Sequence, residues 1–352
     1  MTVMPKAWIH PTKYAENIAH LHDVMTRYGT SVMAVTKVFR ADQKLIDVIN
    51  QSQIEYIADS RIDNLKTIKT DKPKVLLRMP AMTEVEETVR YADISLNSGF
   101  ATIKALDEAA KALKRTHRII LMFDLGDLRE GIYYQHDYMP VIADILKLEH
   151  IKLEGIGTNL TCFGGVIPTP ETLEKLLVIK AVIETAHPVH INLVSGGNSS
   201  SFKLVSEGRQ PKGVNNLRIG EALILGRETA YGTPIPGMHD DVITLEAEII
   251  ECQDKPSMPE GELGMDAFGN QVHFTDQGIM RRAILAVGRQ DVACEDLIPP
   301  EGVEVLGCSS DHLIVRLHHQ DLKTGDTITF KLTYGGILRV MTSPYVRKCY
   351  RD

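Results

Sequence analysis

The nine residues Val32–Arg40, VMAVTKVFR, decide how the rest of the chain is read. Val32, Met33, Ala34 and Val35 form a short apolar run that reads as a buried strand. The run stops just before a lysine, Lys37. Two readings fit that lysine: a solvated strand end, or an amine held at the mouth of a barrel to meet an aldehyde. Upstream, TKYAENIAHLHDVMTRYG carries apolar residues at helical spacing and stops at Gly29; downstream, DQKLIDVINQS reads as a helix.

The same alternation continues. EYIADS, KVLLRMP, DISLNS, RIILMFDLG, KLEGIGTNL, HINLVSGG and NNLRIG read as further strands. TEVEETVRYA, FATIKALDEAAKALKR, YMPVIADILKLE and PETLEKLLVIKAVIETA read as helices, with Thr83 and Glu86 spaced as a capping box. Eight strands alternating with helices argue for parallel βαβ units, and over residues 12–238 for a TIM (β/α)8 barrel. An open doubly wound sheet is the alternative, because periodicity does not show closure.

TPIPGMHDD, with two prolines and a glycine, reads as a linker. Beyond it VITLEAEIIEC, RRAILAVG, VEVLGCSS, HLIVRLHH, DTITFKLTY and ILRVMTS read as strands, which predicts a smaller C-terminal β domain over 239–352. KAWIHPT, within residues 1–11, reads as an N-terminal strand available to pair with that domain.

Composition narrows the function classes. The chain has 352 residues and a formal net charge of −7, with no basic run, which argues against nucleic acid and anionic membrane as partners. No apolar stretch approaches membrane-spanning length, and the N-terminus lacks the pattern of a signal peptide, so a cytoplasmic location is expected. The five cysteines are scattered without a C-x-x-C pair. That spacing predicts unpaired thiols in a reducing compartment and no structural metal.

Barrel chemistry sits where strands end at their C-terminal face. Asp124, Asp127 and Arg129 follow strand five, Asn159 and Cys162 strand six, and Gly196, Gly197, Asn198 and Ser199 strand seven; Arg218 and Gly220 lie at strand eight. Glycines with a serine ahead of a helix leave backbone N–H groups free to meet an anion. A phosphate at strands seven and eight and an amine at strand one fit a phosphorylated aldehyde, of which pyridoxal phosphate is the commonest cofactor. Arg129 is read either as a contact to a planar oxygen group or as a partner of Asp124 or Asp127. Cys162 reads as a packed thiol, and Trp8 as core.

On these residues the chain resembles the alanine racemase group of barrel-type pyridoxal-phosphate enzymes, and within it the ornithine racemase branch. AVTK matches the family strand that supplies the Schiff-base lysine, which implies that role for Lys37. DLGDLREG, Asp124 to Gly131, matches a family motif whose arginine is Arg129 here. Asn198-Ser199 matches the phosphate turn, Arg218 and Gly220 the R-x-G strand, and Glu221 offers a further backbone N–H. CSSD, Cys308 to Asp311, resembles the family's substrate-side stretch, which implies substrate contacts for Ser310 and Asp311 beside Arg129 and Asn159. SPYVR places Tyr345 where the family has a phosphate-contacting tyrosine.

The chain also departs from the pattern. Val38-Phe39-Arg40 replaces the residues that usually follow the lysine, and Thr158-Asn159 stands where the family has Thr-His. The family's second base is a tyrosine, and the matching stretch Gly261 to Gly269 has none. Asp266 is its central proton acceptor and is taken as the second base, against the plainer reading of a solvated loop aspartate; His273 is a further candidate.

The resemblance implies a two-base amino-acid racemase. Lys37 serves one face of the α-carbon, and a group from a partner subunit's β domain serves the other, hence a homodimer. Arg218 would face the pyridine nitrogen and leave it unprotonated, because a guanidinium does not readily give up a proton. A basic amino acid such as ornithine is favoured over alanine as substrate, with Asp127, Glu130 or Asp266 available to its distal amine. Two other classes stay open: a pyridoxal-phosphate carrier, and a D-amino-acid aldolase or decarboxylase using a metal near His312, His318 and His319.

Overall fold

The computed structural model of the chain describes residues 4–266, 268–319 and 321–352, and divides them into two compact units. One runs from Pro11 to Asp240; the other combines the segment ending at His10 with Asp241–Asp352.

Unit Pro11–Asp240 is a closed parallel barrel. Its strands are β1 (Ser31–Val35), β2 (Tyr56–Asp59), β3 (Lys74–Leu76), β4 (Ile94–Asn97), β5 (His117–Asp124), β6 (Ile151–Gly157), β7 (Leu193–Ser195) and β8 (Asn216–Ile219). They pair in the order β4-β3-β2-β1-β8-β7-β6-β5, and the ring closes where Ile94 of β4 stands opposite Arg118 of β5. A two-residue strand, Ile132–Tyr133, runs beside the end of β5.

Alternation along the strands separates two apolar clusters. Met33, Val35, Ala58, Val75, Ile94, Leu96, Ile120, Met122 and Leu193 come from strands alone and fill the lumen. Ile119, Leu121 and Phe123 point the other way and pack against helix residues such as Ile103, Leu106 and Leu173. Asp42 caps helix Gln43–Gln51, and Thr169 caps helix Pro170–Ala186. The Thr83–Glu86 capping box does not form. A 3₁₀ turn, Met82–Glu84, precedes helix Val85–Tyr91. Glu84 folds back onto Arg78, while Glu86 pairs with Arg90 one turn on.

The second unit is built on one sheet. Strands Leu297–Ile298, Thr327–Leu332, Ile243–Pro256, Ile279–Leu285, Leu313–Leu317 and Val303–Cys308 follow one another across it. Strand Lys6–Ile9 lies antiparallel to Ile243–Pro256 and parallel to Arg347–Tyr350.

Three expectations fail here. ILRVMTS is the end of a helix, Tyr334–Thr342, capped by Thr333; its apolar residues Ile337, Val340 and Met341 recur at helical spacing, which so short a run hides. Trp8 is not core: it is half-buried, with the Arg351 guanidinium 4.1 Å over its ring. And Cys294 and Cys308 are joined by a disulfide. A turn and a strand end that no local spacing relates bring the two cysteines together. Among the described residues no helix is long and apolar enough to cross a membrane.

Candidate active site

The mouth of the barrel is assembled at the C-terminal ends of the strands. After β1 the chain turns at once. Thr36 is buried and gives its hydroxyl to Asp59 Oδ2 at 2.6 Å, tying β1 to β2. Asp59 also accepts from Arg61 N and Asn64 Nδ2. A 3₁₀ turn, Lys37–Phe39, follows, with Val38 and Phe39 buried. Arg40 and Ala41 are both left-handed, at φ 54° and 51°, an uncommon conformation for residues with a Cβ. The Arg40 and Ala41 N–H groups close back onto Lys37 O and Thr36 O. The turn leaves Lys37 exposed, with its amine in no ion pair or hydrogen bond among the described residues.

Arg218 lies on β8, the strand paired with β1, where it stands opposite Met33. It is 5% exposed and donates to Ser195 Oγ at 2.6 Å, Thr158 O at 2.7 Å and Asn159 Oδ1 at 3.4 Å. None of these is a carboxylate. Burial pulls its guanidinium down to about 10, the nearby Glu130 carboxylate opposing that fall. It therefore stays charged at neutral pH.

β7 ends in Gly196-Gly197, and Asn198 caps a 3₁₀ turn, Ser199–Ser201. Asn198 Oδ1 accepts from Ser200 N, and its Nδ2 donates to Asn159 Oδ1 and Leu160 O, so one side chain holds the ends of β6 and β7 together. Ser199 Oγ accepts from Ala222 N, joining the turn to the helix Glu221–Leu225 that follows Gly220. Glu221 pairs its carboxylate with Arg227, which leaves only its backbone to face a ligand. Among the described residues the N–H groups of Gly197, Asn198 and Gly220 meet no backbone carbonyl, and Ser200 Oγ and Thr158 Oγ1 are buried without a partner. Unspent donors, buried or half-buried at neighbouring strand ends, suit an anionic group.

The loop after β5 works differently from the reading of its sequence. Asp127 is fully buried and accepts four backbone N–H bonds, from Thr161, Cys162, Phe163 and Val166. Burial opposes its charge, but the four bonds outweigh it and hold the carboxyl below its ordinary value. Asp127 thus staples the β5 loop to the β6 loop and drops out as a partner for a substrate amine. Asp124 accepts from Gly126 N and Leu128 N within its own turn. Arg129 pairs with neither aspartate: it holds Glu130, whose side chain is 13% exposed. Cys162 is exposed, its Sγ 3.4 Å from Asn198 Nδ2, where packing was expected. The four-bond staple at Asp127 turns that stretch outward.

The sequence-predicted site residues therefore divide. Lys37, Arg129, Asn159, Asn198, Ser199, Arg218, Gly220 and Glu221 belong to the barrel unit, and Asp266, Ser310, Asp311 and Tyr345 to the sheet unit. Tyr345 is 67% exposed. Asp266 is exposed and accepts from Asn270 N, Phe268 N and Asn270 Nδ2; the backbone bond from Asn270 leads in holding its carboxyl below the ordinary value. Ser310 and Asp311 lie at the tip of the hairpin between Val303–Cys308 and Leu313–Leu317. Asp311 accepts from Ser309 Oγ and Ser310 Oγ and pairs with His312 Nδ1 at 2.9 Å. His312, named in the sequence only beside a possible metal, is instead the partner of Asp311. Strand Leu313–Leu317 ends before His318, which pairs with Glu304. Cys308 is spent in its disulfide, and no three His, Cys, Asp or Glu side chains gather as a metal site among the described residues.

Known proteins resemble this chain along nearly its whole length. Residues 9–228 match the family model of the alanine racemase N-terminal domain. The chain belongs to that family. It is 45% identical over 348 residues to an ornithine racemase of Acetoanaerobium sticklandii, covering 98% of this chain and 99% of that protein. It is 39% identical over 353 residues to a lysine racemase of Thermotoga maritima, covering 99% of each. Among solved structures, the alanine racemase of Bartonella henselae with covalently bound pyridoxal phosphate shares the fold, with a TM-score of 0.75, 16% identity, and coverage of 99% of this chain and 100% of that one.

Proposed function

We propose that this chain is a pyridoxal-phosphate-dependent racemase of basic amino acids, ornithine or lysine, acting as a homodimer. The observation that carries the reading is the pairing, on one barrel mouth, of an unpartnered lysine at the end of β1 with unspent N–H donors at the ends of β7 and β8. Pyridoxal phosphate, when bound, supplies an aldehyde that condenses with amines and a ring that accepts the electron pair left by a departing α-proton.

The residues present fit that group. Lys37 is the amine for its aldehyde. Gly197, Asn198, Ser199, Gly220 and the Glu221 N–H hold its phosphate, with Tyr345 as a further contact. Arg218, charged at neutral pH, would be the residue toward its ring nitrogen and would favour that nitrogen unprotonated. Arg129 and Asn159 orient the substrate carboxylate, and Glu130, half-buried and paired with Arg129, is the acidic side chain offered to a distal ammonium. Lys37 Nζ takes the α-proton from one face of the substrate or returns it there. The opposite face needs a second group, from the sheet unit of a partner subunit, together with Ser310 and Asp311. Asp266 occupies the sequence position for that group, but a carboxylate held low by its own loop is a weak base.

The test is a cofactor titration followed by an enantiomer screen. The purified protein should gain a visible absorbance band with pyridoxal phosphate, and borohydride should fix the label on Lys37 alone. L- and D-ornithine and lysine should interconvert faster than alanine. Lys37→Ala should lose the fixed label and on the order of a thousandfold in rate. A Lys37→Ala protein that keeps both band and activity overturns the reading.

A further inference from the structure

We infer that Asp59 is a positioning residue for Lys37, acting through the hydroxyl of Thr36. That role rests on the reading of Lys37 as the amine for the aldehyde, and goes beyond it. The Lys37 amine has no ion pair or hydrogen bond among the described residues to aim it. A lysine stem is long and flexible, so an unpartnered amine takes its direction from the backbone that carries it.

That backbone is held on both sides of Lys37. β1 and β2 run parallel, with Val35 opposite Ala58. One residue further on, Thr36 is fully buried and every polar group it has is engaged. Its N–H donates to Ala58 O at 2.9 Å. Its hydroxyl donates to Asp59 Oδ2 at 2.6 Å, with Ala58 O 3.2 Å away. Its carbonyl accepts from Phe39 N and Ala41 N. On the far side Val38 and Phe39 are buried, and the Phe39 ring meets Tyr14 edge-on, with centroids 5.7 Å apart. Arg40 and Ala41 then close the turn in the left-handed conformation. Two such residues in succession persist only where their surroundings hold them.

Asp59 is the fixed end of this arrangement. It is fully buried, and its Oδ1 accepts from Arg61 N at 2.9 Å and Asn64 Nδ2 at 3.0 Å, at the start of helix Ile62–Thr67. The carboxylate therefore joins the end of β1, the end of β2 and that helix. The staple at Asp127 holds one loop to another. The tie from Asp59 ends instead on the residue covalently next to Lys37. Cutting it frees the Thr36 carbonyl onto which the turn closes, and Lys37 Nζ then samples directions that miss the aldehyde.

The test compares Thr36→Val, which keeps the shape and removes the hydroxyl, with Thr36→Ser, which restores the hydroxyl, and with Asp59→Asn. Each intact apoprotein meets two probes. Pyridoxamine phosphate has the ring and the phosphate but no aldehyde, so its affinity reports the site without the Lys37 bond. Pyridoxal phosphate condenses with Lys37: the amine nitrogen bonds to the aldehyde carbon, one water is lost, and borohydride then fixes the label. In Thr36→Val and Asp59→Asn the rate at which the absorbance band forms should fall on the order of a hundredfold, with the affinity for pyridoxamine phosphate unchanged. Thr36→Ser should recover most of that rate. If Thr36→Val does not fold, Asp59→Asn carries the same comparison. The inference is overturned if the band forms at the wild-type rate, if both probes weaken together as in a general loss of structure, or if Thr36→Ser recovers nothing. Normal band formation in Thr36→Val beside a labelled wild type sinks the inference alone; a wild-type protein that fixes no label on Lys37 sinks the racemase reading and the inference with it.

Discussion

The loop after β5 and the loop at 261–270 look alike in sequence. Each carries an aspartate in a short polar turn, Asp127 in one and Asp266 in the other, and each has a glycine at positive φ, Gly131 at 127° and Gly269 at 79°. Both aspartates accept backbone N–H bonds, and both carboxyls are held below their ordinary value. Their structural weight differs. Asp127 reaches across 34 to 39 residues to bind the β6 loop and is fully buried. Asp266 closes only its own turn, two to four residues on, and is exposed. A Cβ on Gly131 would stand 2.4 Å from Asp124 N, whereas one on Gly269 would meet open space. The same local motif is a staple where it is buried and a surface turn where it is not, because the free energy of an N–H···carboxylate bond depends on whether water can replace either partner.

Four substitutions would break or sharpen that contrast, and the largest effect is expected at Gly131. Gly131→Ala puts a Cβ into the β5 backbone as well as straining φ, and should cost about 3 kcal/mol or more and displace Arg129 and Glu130. Chemical denaturation measures the first and the affinity for substrate the second; an unchanged midpoint would mean the loop has room that the structure denies.

Asp127→Asn should follow, at about 2–3 kcal/mol, since an amide cannot accept all four N–H bonds. Its pH dependence has a defined sign. A carboxyl whose folded pKa is depressed stabilises the fold above its unfolded value near 4 and loses that contribution as pH falls through the lower folded value. The gap in stability between wild type and Asp127→Asn should therefore be full at neutral pH and shrink in acid. A gap independent of pH would show that the charge at Asp127 plays no part.

Gly269→Ala should cost only the left-handed backbone preference, about 1 kcal/mol. Asp266→Asn should be the smallest, with no resolvable shift in thermal midpoint, since its partners simply return to water. A large destabilisation by either would erase the difference between the two loops.

Much of the barrel was legible before any coordinates. Its strands carry continuous apolar runs broken by glycine, proline and caps, and its helices carry their own period, so local composition and spacing are sufficient. Lys37 stood out because a charge directly after such a run is conspicuous, and Arg218 and the Gly-Gly-Asn-Ser turn for the same reason. The errors cluster where a residue's partner is distant in sequence. Asp127 looked free because its four donors lie on the next loop. Of the two readings of Arg129, the pairing with Asp124 or Asp127 fails because its guanidinium holds Glu130 instead. Cys294 and Cys308 looked unpaired because a turn and a strand end share no spacing rule, and helix Tyr334–Thr342 was too short for its period to show.

By itself the sequence determined the alternation of strands and helices, the strand that ends at a lysine, and the family-like set of groups at the strand ends, because each is written in contiguous residues; closure of the barrel came only from the pairing of β4 with β5. Tertiary structure alone decided which acids are available for chemistry and which are consumed as scaffold. It also decided that backbone bonds close the 309–312 hairpin tip and that Asp311 pairs with His312. Those outcomes depend on burial and on hydrogen bonds between distant segments, and burial sets how much each bond contributes to stability and where each proton sits.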